Sequence, residues 1–321
     1  MPYSHHSHSG QFCRHATGTL EEVVKEAIKQ GFHTYGLTEH VPRYREEDLY
    51  PEEAGCGTDI LSKQFDDFLD EAHRLKLAYA SQIRLLVGLE TEYITEVDLE
   101  NLEYLLQKHQ GRIDYLVGSV HHVNGVPIDF DAATYQKSVR SLSTDDPASD
   151  SSSPDALDRF LCFYLDAQYT LMRRVHPEVI GHFDLCCLYT PEISLPERHQ
   201  AWEKVERNIQ YAVRYGAVFE VNAAALRKGW NSPYPGSDIL KRILQCGGKL
   251  VLSDDSHGPH AVGLNYARLA KYLMNMQITK LHYLQATEAP NPYGRRVSLV
   301  PVEENWWEHP FWKGSLLTSQ P

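Results

Sequence analysis

Residues 19–40 read TLEEVVKEAIKQGFHTYGLTEH and contain a complete helix–strand unit. The opening T-x-x-E is the capping-box pattern that starts a helix over 20–30, and Gly31 is the residue type that ends one. The apolar stretch 33–38 then has the composition of a strand. The same order of strand and helix recurs along most of the chain, and such alternation predicts a parallel sheet.

Eight strands and seven helices are predicted in this way. The strands are 2–6, 33–38, 83–90, 113–120, 178–184, 217–222, 249–254 and 280–285. The helices are 20–30, 60–80, 97–108, 155–175, 198–215, 237–246 and 261–275. Seven or eight strands, each followed by a helix, most simply close into a TIM-like barrel, and a doubly wound open sheet is the competing arrangement.

Composition narrows the classes of function. The chain has 321 residues, with 43 acidic against 31 basic side chains and a net charge of −12. This balance argues against nucleic acid or an anionic membrane surface as the main partner. The sequence shows no apolar run of membrane-spanning length and no apolar core of a signal peptide near residue 1. With no C-x-x-C spacing among its six cysteines, it fits a cytoplasmic protein with reduced thiols.

Two segments depart from the regular alternation. Residues 141–154 (SLSTDDPASDSSSP) are rich in Ser, Asp and Pro, so this segment is expected to be a disordered surface insert. The tail from 291 is aromatic and is expected to be irregular and to pack across the outside or bottom of the barrel.

Most predicted strands end in side chains that can bind metal. The segments are His6-Ser7-His8, Thr38-Glu39-His40, Gly88-Leu89-Glu90, Ser119-Val120-His121-His122, Gly181-His182-Phe183-Asp184 and Asp254-Asp255-Ser256-His257. Each segment by itself also fits a structural histidine or an ordinary polar surface. In a barrel, however, the C-terminal ends of the strands lie on one face. Together they favour a multinuclear site, and many imidazoles with two carboxylates suit Zn²⁺, Fe²⁺ or Mn²⁺. Such a site would attract an anion.

The chain carries the motifs H-S-H-S at 6–9, T-E-H at 38–40, G-L-E-T-E-Y at 88–93, G-S-V-H at 118–121, G-H-F-D-L at 181–185 and S-D-D-S-H at 253–257. Their order and spacing resemble the PHP (polymerase and histidinol phosphatase) family, and within it the monofunctional histidinol-phosphate phosphatases. The resemblance runs from His6 to about Gly263. It implies a single barrel domain over 1–321, folded as a distorted TIM-like (β/α)7 barrel around a trinuclear metal centre.

The resemblance also implies how the three metals would be held. The first would be bound by His6, His8, Glu90 and Asp255. Glu90 would bridge to the second, which is completed by His121 and His182. The third would be bound by His15, His40 and His257. His122 is an alternative to His121, and His5 is expected to be exposed.

For phosphate, Arg227 is the main candidate because a guanidinium binds phosphate through two hydrogen bonds, and Arg43 is the second. A solvated basic pair remains the other interpretation of Arg227 and Lys228. Asn222 fits equally well as a site residue or as a cap of its strand.

The implied activity is hydrolysis of a small-molecule phosphate monoester, L-histidinol phosphate, to L-histidinol and phosphate in histidine biosynthesis. Asp255, or a histidine near it such as His257, would protonate the leaving oxygen. The substrate ammonium and imidazole would be recognised by acids or aromatics, with Asp129, Asp131 and Glu92 as candidates.

Three rivals remain. The first is a PHP phosphoesterase for another small ester or a nucleotide. The second is an amidohydrolase-type barrel, which begins with H-x-H but commonly bridges its metals with a lysine that is not found here. The third is a catalytically dead metal-binding scaffold.

Overall fold

The computed structural model describes residues 2–53, 55–143, 155–303 and 305–312. Its strands are β1 (Tyr3–Ser4), β2 (Ser7–His8), β3 (Thr34–Leu37), β4 (Arg84–Glu90), β5 (Tyr115–Gly118), β6 (His122–Val123), β7 (Val126–Pro127), β8 (Val179–Ile180), β9 (Val218–Asn222), β10 (Lys249–Ser253), β11 (Ser256–His257), β12 (His282–Ala286) and β13 (Val297–Pro301). Its α-helices are α1 (Leu20–Gln30), α2 (Thr58–Ala78), α3 (Glu96–Lys108), α4 (Ala132–Ser141), α5 (Ala156–Val175), α6 (His199–Tyr215), α7 (Ala224–Arg227), α8 (Ser237–Gln245) and α9 (Tyr266–Asn275).

Seven parallel strands form a nearly closed barrel in the order β1-β3-β4-β5-β8-β9-β10. The first and last strands meet where His5 N donates to Leu252 O at 3.2 Å, and β2 pairs in parallel with β11 beside this junction. The strand order follows the chain without the reversal that defines a doubly wound sheet. The predicted distorted (β/α)7 barrel is therefore confirmed, and the open sheet is excluded.

The predicted helices form within two residues of their expected bounds, except that α9 begins at Tyr266 and not at 261. Thr19 and Glu22 cap each other at the start of α1, and Gly31 ends it with φ of 82°. The strands are buried on both faces: in β4, Leu85, Leu86, Val87 and Leu89 are all at most 3% exposed, as in parallel sheets covered by helices. No helix within the described ranges is long and apolar enough to cross a membrane.

The predicted eighth strand, 280–285, does not belong to the barrel. It forms β12, which pairs antiparallel with β13 in a separate two-stranded sheet. Leu284 N in this sheet donates to His5 Nε2 at 3.0 Å, and His5 is fully buried. Burial lowers the pKa of His5 to about 3, so its ring is neutral and serves as an acceptor. The expectation that His5 is exposed is wrong, because β12 covers it.

The tail is more ordered than its composition suggests. It contains β13, and the Trp306 and Trp312 side chains are buried, Trp312 stacking on Tyr266 with ring centroids 5.8 Å apart. The structure also contains two helices that were not predicted from the sequence, α4 and α7. The first residue of the expected insert, Ser141, ends α4, and 144–154 lie outside the described residues.

Candidate metal centre

The structure brings all nine predicted metal-binding side chains to one end of the barrel. They fall into overlapping groups whose donor atoms lie within 4.8 Å of one another. The groups are His6, His8 and Glu90; Glu90, His121 and His182; His8, Asp255 and His257; and His15, His40 and His257 with Cys13. The convergence follows from the fold, since parallel barrel strands deliver their C-terminal ends to the same face.

Glu90, the last residue of β4, is the centre of this arrangement and is 1% exposed. Its two oxygens contact five imidazoles. The contacts are Oε1 to His182 Nε2 (2.9 Å), His6 Nε2 (3.2 Å) and His121 Nε2 (3.2 Å), and Oε2 to His40 Nδ1 (2.9 Å) and His8 Nε2 (3.3 Å). Burial would raise the pKa of Glu90, but positive charge on the surrounding imidazoles holds it well below its ordinary value. A carboxylate in this position can bridge two cations.

Asp255, just after β10, approaches the same Nε2 atoms of His6 and His8 as Glu90 does. Its Oδ1 is 3.8 Å from His6 Nε2, 3.7 Å from His8 Nε2 and 3.5 Å from His257 Nδ1. Asn222 Nδ2 donates to Asp255 Oδ2 at 3.2 Å, while Asn222 Oδ1 accepts from Ala224 N at 2.8 Å. Asn222 thus both supports the site and caps the turn after its strand, the two roles that the sequence left open.

The third group lies nearer the surface. The ring centroid of His15 is 5.4 Å from that of His40 and 5.1 Å from that of His257. Burial lowers the pKa of His15 to about 4, so its ring is neutral, as a metal-binding imidazole must be. Cys13 Sγ lies 3.2 Å from His15 Nε2, and no sequence motif pointed to this thiol.

Three buried glutamates contact His6, His8 and His121 at the ring nitrogen that does not face Glu90. Glu39 Oε2 is 3.5 Å from His8 Nδ1, and Glu92 Oε2 is 3.0 Å from His121 Nδ1. Glu220, on β9, is 3.1 Å from His6 Nδ1. In each pair the other ring nitrogen, Nε2, faces Glu90. Glu92 and Glu220 are within hydrogen-bond distance of their histidines, and carboxylates placed in this way fix the orientation and tautomer of metal-binding histidines.

Sequence reasoning missed this role for all three glutamates: it gave none to Glu39 or Glu220 and offered Glu92 as a substrate-binding acid. Glu220 lies inside a strand, β9. Its carboxylate also accepts from His182 N at 2.6 Å, Asn222 Nδ2 at 2.7 Å and Ser253 Oγ at 2.6 Å. The available signal was an acid inside the apolar stretch 217–222, because a buried charge needs partners.

The rings of His121 and His122 point in different directions. His121 Nε2 faces Glu90 at 3.2 Å. His122 instead contacts Glu92 through Nδ1 at 3.1 Å, and its ring centroid lies 5.9 Å from that of Tyr50. Both rings contact Glu92 through Nδ1, but among the described residues only His121 belongs to a donor group with Glu90.

A cavity of about 470 Å³ opens above the cluster. Arg227 lines it and donates from Nη1 to the Asp255 carbonyl oxygen at 3.2 Å. Arg43 does not line this cavity. Its guanidinium lies 4.6 Å from the Tyr50 ring centroid, and its Nη1 donates to Val41 O. Arg43 borders a separate cavity of about 30 Å³. Of the two predicted phosphate ligands, the structure therefore places only Arg227 in the main cavity.

The donor set fits divalent transition metals. Among the described residues, His6 Nε2, His8 Nε2 and His40 Nε2 are buried without a hydrogen-bond partner. Buried polar atoms are rarely left so, and bound cations would satisfy them. Imidazoles combined with carboxylates are typical of Zn²⁺, Fe²⁺ and Mn²⁺ sites.

Comparison with known proteins gives a consistent picture. The sequence model of the PHP domain matches residues 4–224. A Schizosaccharomyces pombe protein named "Probable histidinol-phosphatase" is 47% identical over 309 residues, which cover 95% of this chain and 96% of the relative. The histidinol-phosphatase of Saccharomyces cerevisiae is 33% identical over 344 residues, which cover 97% of this chain and 99% of the relative.

Solved structures share the fold. A Listeria monocytogenes protein superposes with a TM-score of 0.63 at 21% identity, over 83% of this chain and 98% of the other. The histidinol phosphate phosphatase of Lactococcus lactis, complexed with zinc, L-histidinol and phosphate, gives a TM-score of 0.57 at 16% identity, over 84% of this chain and 93% of the other.

Proposed function

This chain belongs to the PHP domain family, and on that premise we propose that it hydrolyses L-histidinol phosphate to L-histidinol and inorganic phosphate, a step of histidine biosynthesis. It is a metal-dependent phosphomonoesterase. The observation that carries the proposal is Glu90, buried at the floor of an open cavity and contacted by five imidazoles. Two proteins named as histidinol-phosphatases, 47% and 33% identical over nearly the full length of this chain, support the choice of substrate.

Three divalent cations are proposed at this floor, Zn²⁺, Fe²⁺ or Mn²⁺. Their ligands would be His6, His8, Glu90 and Asp255 for the first; Glu90, His121 and His182 for the second; and His15, His40 and His257 for the third. The overlapping donor groups support this division, because Glu90 belongs to two of them. When bound, such ions neutralise charge on phosphoryl oxygens and lower the pKa of coordinated water.

The chain's own residues then have three tasks. Arg227 binds phosphate oxygens at the cavity wall, since its guanidinium offers two parallel donors. Oxygen from water adds to phosphorus while the bond to the ester oxygen breaks, and the departing alkoxide needs a proton. Asp255 and His257 line the cavity beside Arg227. They take up the proton that the attacking water releases and pass it to the alkoxide. Glu39, Glu92 and Glu220 keep the histidines in place.

A panel of phosphate monoesters tests the substrate. We expect kcat/KM to be highest for L-histidinol phosphate and turnover to stop when a chelator removes the metals. Equal turnover of all esters would overturn the histidinol assignment and favour a general phosphoesterase. Metal binding without chelator-sensitive turnover of any ester would instead indicate a catalytically dead protein.

Arg227→Ala tests phosphate binding. We expect KM for the ester to rise about 10- to 100-fold, because a hydrogen-bonded charge pair is worth about 1.5–3 kcal/mol, while metal content stays at the wild-type level. Lys228→Ala is the matched control, since Lys228 is the neighbouring exposed cation on the same wall. Unchanged kinetics for Arg227→Ala would remove this residue from the phosphate site.

A further inference from the structure

The cavity above the metal centre carries two acidic side chains outside the proposed ligand set, Asp129 and Glu52. Asp129 is half-buried and Glu52 is exposed. Among the described residues, the Asp129 carboxylate has no hydrogen-bond or ion-pair partner. A half-buried carboxylate without a partner, facing a cavity, is suited to binding a cationic ligand group.

Asp129 is held in place by the hairpin that follows the metal cluster. Strands β6 and β7 are joined by Asn124 and Gly125, with φ of 51° and 71°, the conformations of a tight two-residue hairpin turn. Directly after β7, Ile128 is fully buried, and its N–H donates to the carbonyl oxygen of His121 at 2.9 Å. The residue before Asp129 is thus tied to the backbone of a proposed metal ligand, so Asp129 is positioned before substrate arrives.

The two other acids that the sequence suggested for substrate recognition already have partners. Glu92 is 3% exposed, and its oxygens accept from His121 N and Tyr93 N and contact the Nδ1 atoms of His121 and His122. Asp131 is exposed, caps α4 by accepting from Thr134 N at 2.6 Å, and does not line the cavity. Asp129 is the one of these three acids that faces the cavity with its carboxylate free.

The chemistry of the substrate selects Asp129 over Glu52. In L-histidinol phosphate the ammonium is on the carbon next to the one that carries the phosphate ester. An acid that binds the ammonium must therefore lie close to the phosphate, deep in the cavity and not at its exposed rim. Tyr50, another wall residue, is close enough to Asp129 to be affected by its charge. Burial raises the pKa of the Tyr50 phenol well above its ordinary value. Arg43 opposes this rise, and the negative charge of Asp129 adds to it.

From these observations, and resting on the proposed function, we infer that Asp129 is a specificity-determining residue whose carboxylate forms an ion pair with the primary ammonium of the substrate. The cavity is then matched to a dipolar ligand. Phosphate binds at the metal floor beside Arg227, and the adjacent ammonium binds Asp129. Phosphate esters of simple alcohols use only the first half of the site.

The test compares two substrates on three proteins. The substrates are L-histidinol phosphate and its deamino analogue, the phosphate ester of 3-(imidazol-4-yl)propan-1-ol, which lacks only the ammonium. The proteins are wild type, Asp129→Asn and the matched control Asp131→Asn, in which asparagine can still cap α4. Metal content is measured for all three.

We expect wild type and Asp131→Asn to prefer L-histidinol phosphate over the analogue by about 10- to 100-fold in kcat/KM. Asp129→Asn should lose this preference through KM for L-histidinol phosphate, with unchanged metal content and nearly unchanged kinetics on the analogue. Equal losses of Asp129→Asn on both substrates would overturn the inference, and so would a wild type that does not discriminate between them. Hydrolysis of neither substrate by wild type would instead overturn the proposed function itself.

Discussion

Glu90→Ala should lose more than one equivalent of metal and reduce kcat/KM for L-histidinol phosphate by about three orders of magnitude or more. The reason is that the Glu90 carboxylate contacts five imidazoles and is shared by two donor groups. Removing it takes away the bridging charge and weakens two ions at once, and metal catalysis supplies several kcal/mol of charge stabilisation. Elemental analysis of the purified variant, paired with steady-state kinetics, measures both effects.

The matched control for this variant is Glu52→Ala, because Glu52 is an acid on the same cavity wall that belongs to none of the donor groups. It should keep its full metal content. Circular dichroism of Glu90→Ala separates loss of metal from loss of fold. A folded Glu90→Ala protein with the metal content of wild type would contradict the bridging role.

Glu220→Gln is the second change with a large expected effect. Glu220 is fully buried, orients His6 and accepts hydrogen bonds from His182 N, Asn222 Nδ2 and Ser253 Oγ. An amide replaces one acceptor with a donor, so at least one of these donors loses its partner. We expect metal affinity to fall about 10- to 100-fold, as for other groups that orient metal-binding histidines, and the free energy of unfolding to fall by about 1–3 kcal/mol.

Metal titration of activity distinguishes these two effects. Activity of Glu220→Gln should be low at limiting metal and recover when metal is in excess, because the direct ligands remain. Glu178→Gln is the control. Glu178 is a half-buried acid that accepts from Arg295 Nε at 2.6 Å and belongs to none of the donor groups. It should lower stability without changing metal affinity. Wild-type metal affinity in Glu220→Gln would show that Glu220 does not position His6.

The barrel and its cluster were predictable because both depend on local signals. Each strand is a short apolar stretch, and several helices have their own caps, as Thr19 and Gly31 show for α1. Once strands alternate with helices, topology alone brings the strand ends to one face. His6, Glu90 and Asp255 therefore meet although they are far apart in sequence.

What the sequence could not give depends on contacts between distant segments. Whether His5 is exposed is decided by Leu284, 279 residues further along the chain. The eighth apolar stretch looks like any barrel strand, but β1 already meets β10 at the junction where it would insert. Arg43 follows a site motif, yet it packs on Tyr50, which no local pattern predicts.

The same distinction separates ligands from the groups that hold them. A histidine at a strand end can be recognised as a candidate ligand from its position. The part played by Glu220 appears only when β9 is placed beside His6 and His182. Asp129, Asp131 and Glu92 were equivalent candidates in the sequence, and only their partners in the folded chain tell them apart.

The metal content of the purified wild-type protein tests the central claim most directly. Nine side chains at one end of the barrel are proposed to hold three divalent cations around Glu90 and Asp255. Elemental analysis should find three equivalents of Zn, Fe or Mn per chain, and chelation should remove them together with hydrolysis of L-histidinol phosphate. A protein that hydrolyses the ester at full rate with no bound transition metal would contradict the account.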